Sequence, residues 1–336
     1  MIDLLTVDDS HLNQTMRLIK REVARRKWKA SVPRPWSLYV FLTRDDGVNM
    51  TIFGATPPTT SYAAAKVADD KIVTYELLKQ TDVPQLDTIS IQEDAIDTAL
   101  TLMKKFGKVV VKPIDGSHGN GVSVGIRDEA DLRRAIAHAK THTTRNTVLV
   151  QRHFPYDTVY DLRMLCINYQ FIAAIYRMPA VVIGDGVHTT EQLIATANAD
   201  GSRGVAYKAP LAMIDVEGAR RHLSTALQDI PPKDQRVEVL GIANYGAGGE
   251  TIDATDSIPD WLKRMAELAS RTLQLPVAGV DFMLSGVPQP SMTREQLKVS
   301  FTEANKGPSL AIHAEPTRGT PRDAVRVYFD YLATID

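Results

Sequence analysis

One stretch of the sequence decides the fold, Val109-Val110-Val111-Lys112-Pro113-Ile114-Asp115-Gly116-Ser117-His118-Gly119-Asn120-Gly121-Val122. The short β-branched run predicts a buried strand that ends at Lys112, and residues 122–126 predict a return strand. The glycines between them let backbone N–H groups approach a polyphosphate closely. The spacing matches neither the P-loop nor the Gly-x-Gly-x-x-Gly dinucleotide motif. Taken alone, the stretch predicts either a plain hairpin loop or a flap over phosphates.

Two further segments place oxygen ligands on apolar strands. They are Gly279-Val280-Asp281-Phe282-Met283 and Phe301-Thr302-Glu303-Ala304-Asn305. Glu303 and Asn305 are two residues apart, so both point to one face of a strand, and Asp281 can face them from the neighbouring strand. Two carboxylates and an amide oxygen suit Mg²⁺, or Mn²⁺ in its place. The alternative for each acid is a satisfied polar group of the core or a solvent-facing residue.

The composition is that of an ordinary globular protein. The chain has 336 residues, with 39 basic and 40 acidic side chains and a formal net charge of −1. This balance argues against nucleic acid or an anionic membrane as a partner, and no stretch approaches the ~18 apolar residues of a membrane helix. The chain has one cysteine, Cys166, which excludes an intrachain disulfide and fits a reducing compartment. We therefore expect a cytoplasmic protein, and a homo-oligomer is compatible with the sequence.

Three weaker signals come from position in the chain. Lys71 opens a predicted helix after Asp69-Asp70, and its alternative is an ordinary surface lysine. The strand at residues 148–151, followed by Asp161, can supply an adenine-facing edge and a ribose acceptor. Residues 20–29 are locally basic, which predicts either a solvated helix face or a docking patch for an anionic partner.

Together, the motifs resemble the ATP-grasp superfamily, and more narrowly the ATP-grasp region of cyanophycin synthetases and of bifunctional glutathione synthetases. The resemblance covers the chain from about residue 59 to the end. Besides the segments above, the matching motifs are Val182-Ile183-Gly184-Asp185-Gly186-Val187-His188-Thr189, Asn244-Tyr245-Gly246-Ala247-Gly248-Gly249-Glu250-Thr251-Ile252-Asp253 and Lys306-Gly307-Pro308. Their order and separations make the set more specific than any one motif.

The resemblance implies an α/β (α+β) ATP-grasp fold in which two α+β subdomains sandwich ATP. Residues 1–69 would form a small N-terminal α/β unit before them. Residues 70–152 would form the smaller subdomain with the glycine-rich flap. Residues 153–336 would form the larger subdomain with the metal site and a lid insertion at about residues 184–245.

The resemblance also implies roles for individual residues. ATP would be bound by Lys71, Lys112, Gly116, Ser117, His118, Gly119, Gly121, Gln151, Arg152 and Asp161, with Gln151 and Arg152 at the adenine and Asp161 at the ribose. The side chains implied at the reacting groups are Lys112, Arg163, Arg177, Lys208 and Asn244. Mg²⁺ would be held by Asp281, Glu303 and Asn305.

The implied reaction transfers the γ-phosphate of ATP to a carboxylate, and an amine then attacks the acyl phosphate. The sequence departs from the family in residues 240–247, where the usual Arg and Ser-Thr are replaced, and in Gln151 and Lys306. We therefore expect small-molecule or peptide substrates other than those of the two named enzymes. Two alternatives stay open: a nucleotide-binding scaffold with reduced catalysis, and an enzyme that uses a non-amine acceptor.

Overall fold

The computed structural model describes residues 1–92, 95–115, 121–156, 158–241 and 245–336. The first elements along the chain are β1 (Ile2–Asp3), α1 (Gln14–Arg26), β2 (Lys29–Val32), β3 (Tyr39–Thr43), β4 (Asn49–Phe53) and α2 (Tyr62–Ala68). The four strands form an antiparallel sheet in the order β1-β2-β3-β4. Helix α1 packs its apolar residues into the core of this sheet.

Helix α1 differs from the sequence prediction at both ends. The polar residues Asp9 and Ser10 and the apolar periodicity after them predict a helix that is capped at one of these residues and runs to about residue 29. The helix instead begins after Asn13, whose side chain accepts from Met16 N at 2.8 Å. It ends at Lys27, which has a left-handed backbone with φ 59° and turns the chain into the unpredicted strand β2. The capping bond and the chain reversal depend on single polar or left-handed residues, which the periodicity of apolar residues does not reveal.

The second group of elements forms a smaller sheet with two helices against it. The elements of this group are α3 (Lys71–Leu78), β5 (Thr88–Ile91), α4 (Ile96–Phe106), β6 (Val109–Pro113), β7 (Ser123–Ile126), α5 (Glu129–Lys140) and β8 (Val148–Arg152). The strands are antiparallel in the order β5-β8-β6-β7. The predicted buried strand and its return strand are therefore β6 and β7, while β5 was not predicted.

The third group begins with a long hairpin, β9 (Tyr160–Ile167) and β10 (Gln170–Met178). The segment that the sequence led us to expect as a lid insertion, residues 184–245, follows β11 (Val181–Ile183) and keeps that name below. It contains α6 (Thr190–Ala199), β12 (Arg203–Gly204), β13 (Leu211–Ala212), α7 (Val216–Leu223) and β14 (Arg236–Glu238). Helix α6 starts with a full capping box between Thr189 and Gln192.

The chain then completes the central sheet. The last elements are β15 (Glu250–Asp253), α8 (Asp260–Thr272), β16 (Val277–Leu284), β17 (Val299–Asn305), α9 (Ala311–Ala314) and α10 (Ala324–Leu332). The sheet is antiparallel in the order β15-β10-β9-β16-β17. Helix α10 packs into the core of the N-terminal sheet, so the C-terminal end of the chain joins that core.

The packing of α8 decides which face of the central sheet is free to build a site. Leu162, Met164 and Cys166 on β9 belong to the core that α8 covers. Side chains alternate along a strand, so Asp161 and Arg163 point to the other face. Cys166 is buried, as expected of a small core residue.

The basic segment at residues 20–29 is largely paired within the protein. Lys20 forms an ion pair with Asp9 at 2.8 Å, and Glu22 forms ion pairs with Arg25 and with Arg26, each at 2.6 Å. Arg25 is exposed, whereas Glu22 and Arg26 are largely buried, so this helix face has much of its charge neutralised by ion pairs within the protein. No helix in the described part of the chain is long and apolar enough to cross a membrane.

Candidate active site

The free face of the central sheet carries charged side chains in two adjacent rows. Arg163 on β9 lies opposite Asp281 on β16, and Asp281 lies opposite Glu303 on β17. In the next row, Asp161 on β9 lies opposite Arg177 on β10. Cross-strand partners have their side chains on one face. The strand register therefore brings these five residues together.

Asp281 is fully buried and accepts hydrogen bonds from Arg163 and Arg177. Arg163 donates through Nε to one carboxylate oxygen and through Nη2 to the other at 2.8 Å. Arg177 Nη2 donates to Asp281 at 2.8 Å and to the two oxygens of Asp161 at 2.7 and 2.9 Å. Burial alone would raise the pKa of Asp281, but the charges of Arg163 and Arg177 lower it below its ordinary value. Asp281 is therefore ionised and fixes two guanidinium groups beside it.

Two other groups near this network, the half-buried Asp161 and the fully buried His313, carry shifted pKa values. Burial raises the pKa of Asp161 to about 6, against the opposing charge of Arg177. Burial lowers the pKa of His313 to about 3, and the nearby charge of Arg163 acts in the same direction. His313 is therefore neutral at ordinary pH and supplies no cation to the site.

Two local features of the strands shape the site around Asp281. The register of β16 and β17 shifts directly after Asp281, and the extra residue, Thr302, donates its hydroxyl to the backbone oxygen of Asp281 at 3.1 Å. Such bulges re-aim side chains next to functional sites. At Gly279, an added Cβ would lie 2.9 Å from Arg163 Cδ and 3.0 Å from Pro308 Cβ. The glycine thus leaves the space that the Arg163 stem occupies.

The residues expected to hold Mg²⁺ lie together on β16 and β17. Asn305 Nδ2 donates to Glu303 Oε1 at 3.2 Å, and Glu303 lies opposite Asp281. In the part of the chain that the structure describes, no group of three His, Cys, Asp or Glu residues is arranged to hold a metal. The third ligand here would be the amide, and the donor set is two carboxylates and one amide oxygen. That set fits a Mg²⁺ ion that keeps several waters and contacts ATP phosphates.

The second group of elements contributes lysines from the opposite side. Lys112, near the end of β6, donates to Gln151 Oε1 on β8 at 3.0 Å. Gln151 is held in turn by donating to Thr88 Oγ1 at 2.7 Å. Burial lowers the pKa of Lys112 to about 8, and the charge of Lys71 adds to the shift. Lys71 is the first residue of α3, which Asp70 caps by accepting from two backbone N–H groups.

Both sets of residues line one cavity of about 1090 Å³ between the sheets. The sequence-predicted residues that the cavity brings together are Lys71, Lys112, Asp161, Arg163, Arg177, Asp281, Glu303 and Asn305. Cationic and acidic groups from separate parts of the chain therefore converge on a space large enough for a nucleotide and a second substrate.

The remaining predicted residues lie elsewhere. Gln151 supports Lys112 from behind, and the guanidinium of Arg152 stacks over the ring of Phe106 at 4.7 Å. Lys208 reaches the N-terminal unit, where it donates to Ser10 O at 3.2 Å. Neither Gln151, Arg152 nor Lys208 is among the described residues that line the cavity. Gly116, Ser117, His118, Gly119 and Asn244 fall outside the described residues.

Sequence reasoning missed several residues of the cavity. Arg145 lines it and donates to Asp70 at 2.6 Å, although it stands in a polar segment with no motif. Gln14, Tyr207 and Tyr245 also line it, and Tyr245 Oη donates to Gln14 Oε1 at 2.8 Å. Tyr245 follows Asn244 in a matching motif, which was the one available signal. The contact between Tyr245 and Gln14 joins the lid insertion to the N-terminal unit.

Comparison with known proteins agrees with this architecture. The profile of the prokaryotic glutathione synthetase ATP-grasp domain matches residues 71–185. Cyanophycin synthetase from Crocosphaera subtropica is 30% identical over 280 residues, which are 80% of this chain and 31% of that protein. The glutathione biosynthesis bifunctional protein GshAB of Listeria monocytogenes serotype 4b is 26% identical over 98% of this chain and 42% of its own length. The chain thus spans less than half of each relative.

A solved structure extends the comparison to the fold. The crystal structure of a bifunctional glutathione synthetase from Pasteurella multocida superposes with a TM-score of 0.69 at 22% identity, covering 96% of this chain and 44% of that chain. The resemblance inferred from the motifs and the predicted α+β fold class are both confirmed. The chain therefore has the ATP-grasp fold and is related to the ATP-grasp regions of cyanophycin synthetase and bifunctional glutathione synthetase.

Proposed function

We propose that this chain activates a carboxylate with Mg·ATP and joins it to an amine, forming an amide bond and releasing ADP and phosphate. The observation that carries the proposal is the convergence of Lys71, Lys112, Arg163 and Arg177 on the cavity that also contains the Asp281, Glu303 and Asn305 cluster. One of the relatives is named cyanophycin synthetase, and a synthetase forms bonds, which agrees with the proposal.

The cations would bind and orient the polyphosphate. Lys112, fixed by Gln151, and Lys71, at the start of α3, would contact ATP phosphates from the smaller subdomain. Arg163 and Arg177, fixed by Asp281, would face the transferring phosphoryl group from the central sheet. Charge on that group is the main quantity that a phosphoryl-transfer site must stabilise. Side chains already held in place stabilise it without reorganising during the reaction.

The metal requirement follows from the donor set. Glu303, Asn305 and Asp281 would hold Mg²⁺, which supplies Lewis-acid neutralisation of phosphate charge when bound. Asp281 would share its oxygens with the arginines, since both are already hydrogen-bonded to it. Glu303 faces the cavity with its side chain 41% exposed and is the more accessible carboxylate.

The proposed reaction has two steps with balanced atoms. A substrate carboxylate oxygen attacks the γ-phosphorus, the bond between that phosphorus and the β–γ bridging oxygen breaks, and ADP leaves. The amine nitrogen then attacks the acyl carbon, loses a proton, and phosphate leaves with the former carboxylate oxygen. Phosphorylation is needed because a free carboxylate is a poor electrophile, and a closed site protects the acyl phosphate from water.

The lining of the cavity supports one statement about the substrates. The N-terminal unit contributes Asn13, Gln14, Thr15, Leu38, Gly54 and Ala55 to the described lining, and none of these side chains is charged. Tyr207 and Tyr245 of the lid insertion lie against this region. The part of the substrate bound there is therefore expected to be uncharged, with hydrogen-bonding groups and some apolar surface.

We expect the reaction to occur in the cytoplasm, where Mg·ATP is abundant.

A substrate screen tests the proposal. Pairs of carboxylates and amines are incubated with the protein and Mg·ATP, phosphate release is measured, and mass spectrometry identifies the product. The expected result is phosphate release that depends on both substrates and equals the amide formed. Phosphate release that depends on the carboxylate and a thiol would instead show a non-amine acceptor. Nucleotide binding with no turnover for any pair would favour the alternative hypothesis, a nucleotide-binding scaffold with reduced catalysis.

A further inference from the structure

Four consecutive residues after α5 contact three separate parts of the candidate nucleotide site. They are His142, Thr143, Thr144 and Arg145, which we call the clasp. The segment lies at the end of α5, where His142 N donates to Ala139 O at 3.1 Å. Thr144 and Arg145 line the same cavity as Lys71 and Lys112. None of the motifs that revealed the site includes this segment.

The first contact is with Asp115, where the glycine-rich stretch leaves β6. The carboxylate of Asp115 accepts from Thr144 Oγ1 at 2.6 Å, from Thr144 N at 3.2 Å, and from the hydroxyl of Thr143. Burial is the largest single influence and raises the pKa of Asp115, but the hydrogen bonds from Thr143 and Thr144 together outweigh it and lower the pKa to about 2. Asp115 is therefore an anion held by donors of the clasp.

The second contact is with Gly121, where the described chain resumes at the other end of the glycine-rich stretch. Gly121 is buried and has a φ of +72°, a conformation that side-chain-bearing residues rarely adopt. A Cβ at this position would lie 2.7 Å from Cβ of His142. The glycine is thus required both by its backbone and by the close approach of the clasp.

The third contact reaches the helix that begins with Lys71. Arg145 Nη1 donates to Asp70 Oδ2 at 2.6 Å. The other oxygen of Asp70 caps α3 by accepting from Ile72 N at 3.1 Å and Val73 N at 3.2 Å. One carboxylate therefore connects the clasp to the helix start that carries Lys71.

The clasp is also braced internally. Arg145 N donates to Thr143 Oγ1 at 3.0 Å, and Thr143 Oγ1 lies 2.9 Å from Arg145 O. Thr147 N donates to Arg145 O at 2.7 Å, just before β8 begins. These hydrogen bonds tie the segment to itself and to the end of α5, so we expect the three contacts to be coupled.

We propose that the clasp positions the nucleotide site, by fixing Asp115, Gly121 and the start of α3 relative to one another so that both lysine-bearing elements meet one polyphosphate. The proposal rests on the proposed function in one respect, namely that this cavity binds Mg·ATP. Thr144 and Asp115 are positioning residues, since they act through the groups they hold. Their loss should weaken nucleotide binding without unfolding the protein.

The test measures the Kd of Mg·AMP-PNP by isothermal titration calorimetry, and the melting temperature, for the full chain and its variants. Thr144→Val removes the hydroxyl but keeps the shape, Thr144→Ser restores the hydroxyl, and Asp115→Asn removes the charge. The matched control is Thr141→Val, which removes a similar hydroxyl bond, from Thr141 to His138 O at 2.8 Å, in the preceding turn. Losing a hydrogen bond to a charged group predicts a Kd about tenfold higher for Thr144→Val and for Asp115→Asn.

The pattern across variants separates positioning from a general structural role. The proposal expects Thr144→Ser and Thr141→Val to bind within about twofold of the wild type, and the Thr144→Val/Asp115→Asn double variant to bind no worse than the weaker single variant. Equal Kd values for Thr144→Val and Thr141→Val would overturn it, as would a loss that Thr144→Ser does not restore. If the proposed function is wrong, the wild type binds Mg·AMP-PNP but ligates no pair of substrates. The Kd values of the variants then still test the role of the clasp. A wild type that does not bind nucleotide overturns both.

Discussion

Raising the pH should weaken nucleotide binding through one residue, Lys112. Its ammonium group faces the proposed phosphate position, and burial and Lys71 lower its pKa to about 8. A lysine loses its charge as the pH rises through its pKa, and ATP phosphates bind the charged form. Affinity should therefore be nearly constant below about pH 7 and should fall above about pH 8.

The size of the effect follows from the fraction of Lys112 that carries a proton. With a pKa of about 8, roughly nine-tenths is charged at about pH 7 and roughly one-tenth at about pH 9. If binding needs the charged form, the Kd for nucleotide rises about tenfold between these values. Bound phosphates also raise the pKa of the lysine in the complex, because they favour the charged form. That linkage is the source of the pH dependence.

Calorimetric titration of Mg·AMP-PNP across this interval measures the effect, and Lys112→Arg is its internal control. A guanidinium stays charged throughout, since its pKa exceeds about 12. The wild-type Kd should rise about tenfold while the Kd of Lys112→Arg stays level. A level wild-type profile, or an equal rise in both proteins, would refute the assignment of Lys112 to the phosphates.

Three substitutions probe the central sheet. Glu303→Ala removes the accessible carboxylate of the proposed metal site and should lower ADP release at least about 100-fold, with an unchanged melting curve. Asp281→Asn removes the charge that pairs with buried Arg163 and Arg177, so urea denaturation should show a loss of about 3–5 kcal/mol in the free energy of unfolding. Gly279→Ala pushes a methyl group against the Arg163 stem and should cost about 1–3 kcal/mol by the same measurement, together with a lower kcat.

Matched controls make these predictions specific. Gly286→Ala adds the same methyl group where nothing lies within 4 Å, and should leave stability and kcat unchanged. Arg318→Gln breaks an exposed ion pair with Glu250, and should change the free energy of unfolding by about 1 kcal/mol or less. Equal losses in Asp281→Asn and Arg318→Gln would show that the buried network contributes no more than a surface pair.

Much of the site could be predicted because its residues follow strand periodicity. Glu303 and Asn305 were assigned to one face by their spacing, and Asp281 was expected opposite them, which is the register that forms. Lys112 was placed at the end of a buried strand from the run of valines before it. In each case an apolar repeat fixes the element, and the polar residue within it then has a defined direction.

Other features depend on contacts between residues distant in sequence. Arg145 lies at the cavity, where it pairs with Asp70 at 2.6 Å, and Arg145 itself belongs to no motif. Gln14 lines the cavity because α1 begins where Tyr245 of the lid insertion reaches it. The helix and strand propensities of single residues do not indicate such long-range contacts. Lys208 was expected at the reacting groups, but it donates to Ser10 O in the structure, and its catalytic role stays a prediction.

The most direct test of the central claim follows oxygen through the reaction. A carboxylate substrate labelled with ¹⁸O is used with its amine partner, the wild-type protein and Mg·ATP, and the products are analysed by mass spectrometry. Acyl phosphate formation predicts one labelled oxygen in the inorganic phosphate for each amide made, with ADP as the nucleotide product. Label in AMP, with pyrophosphate released, or unlabelled phosphate alongside the amide, would contradict the account.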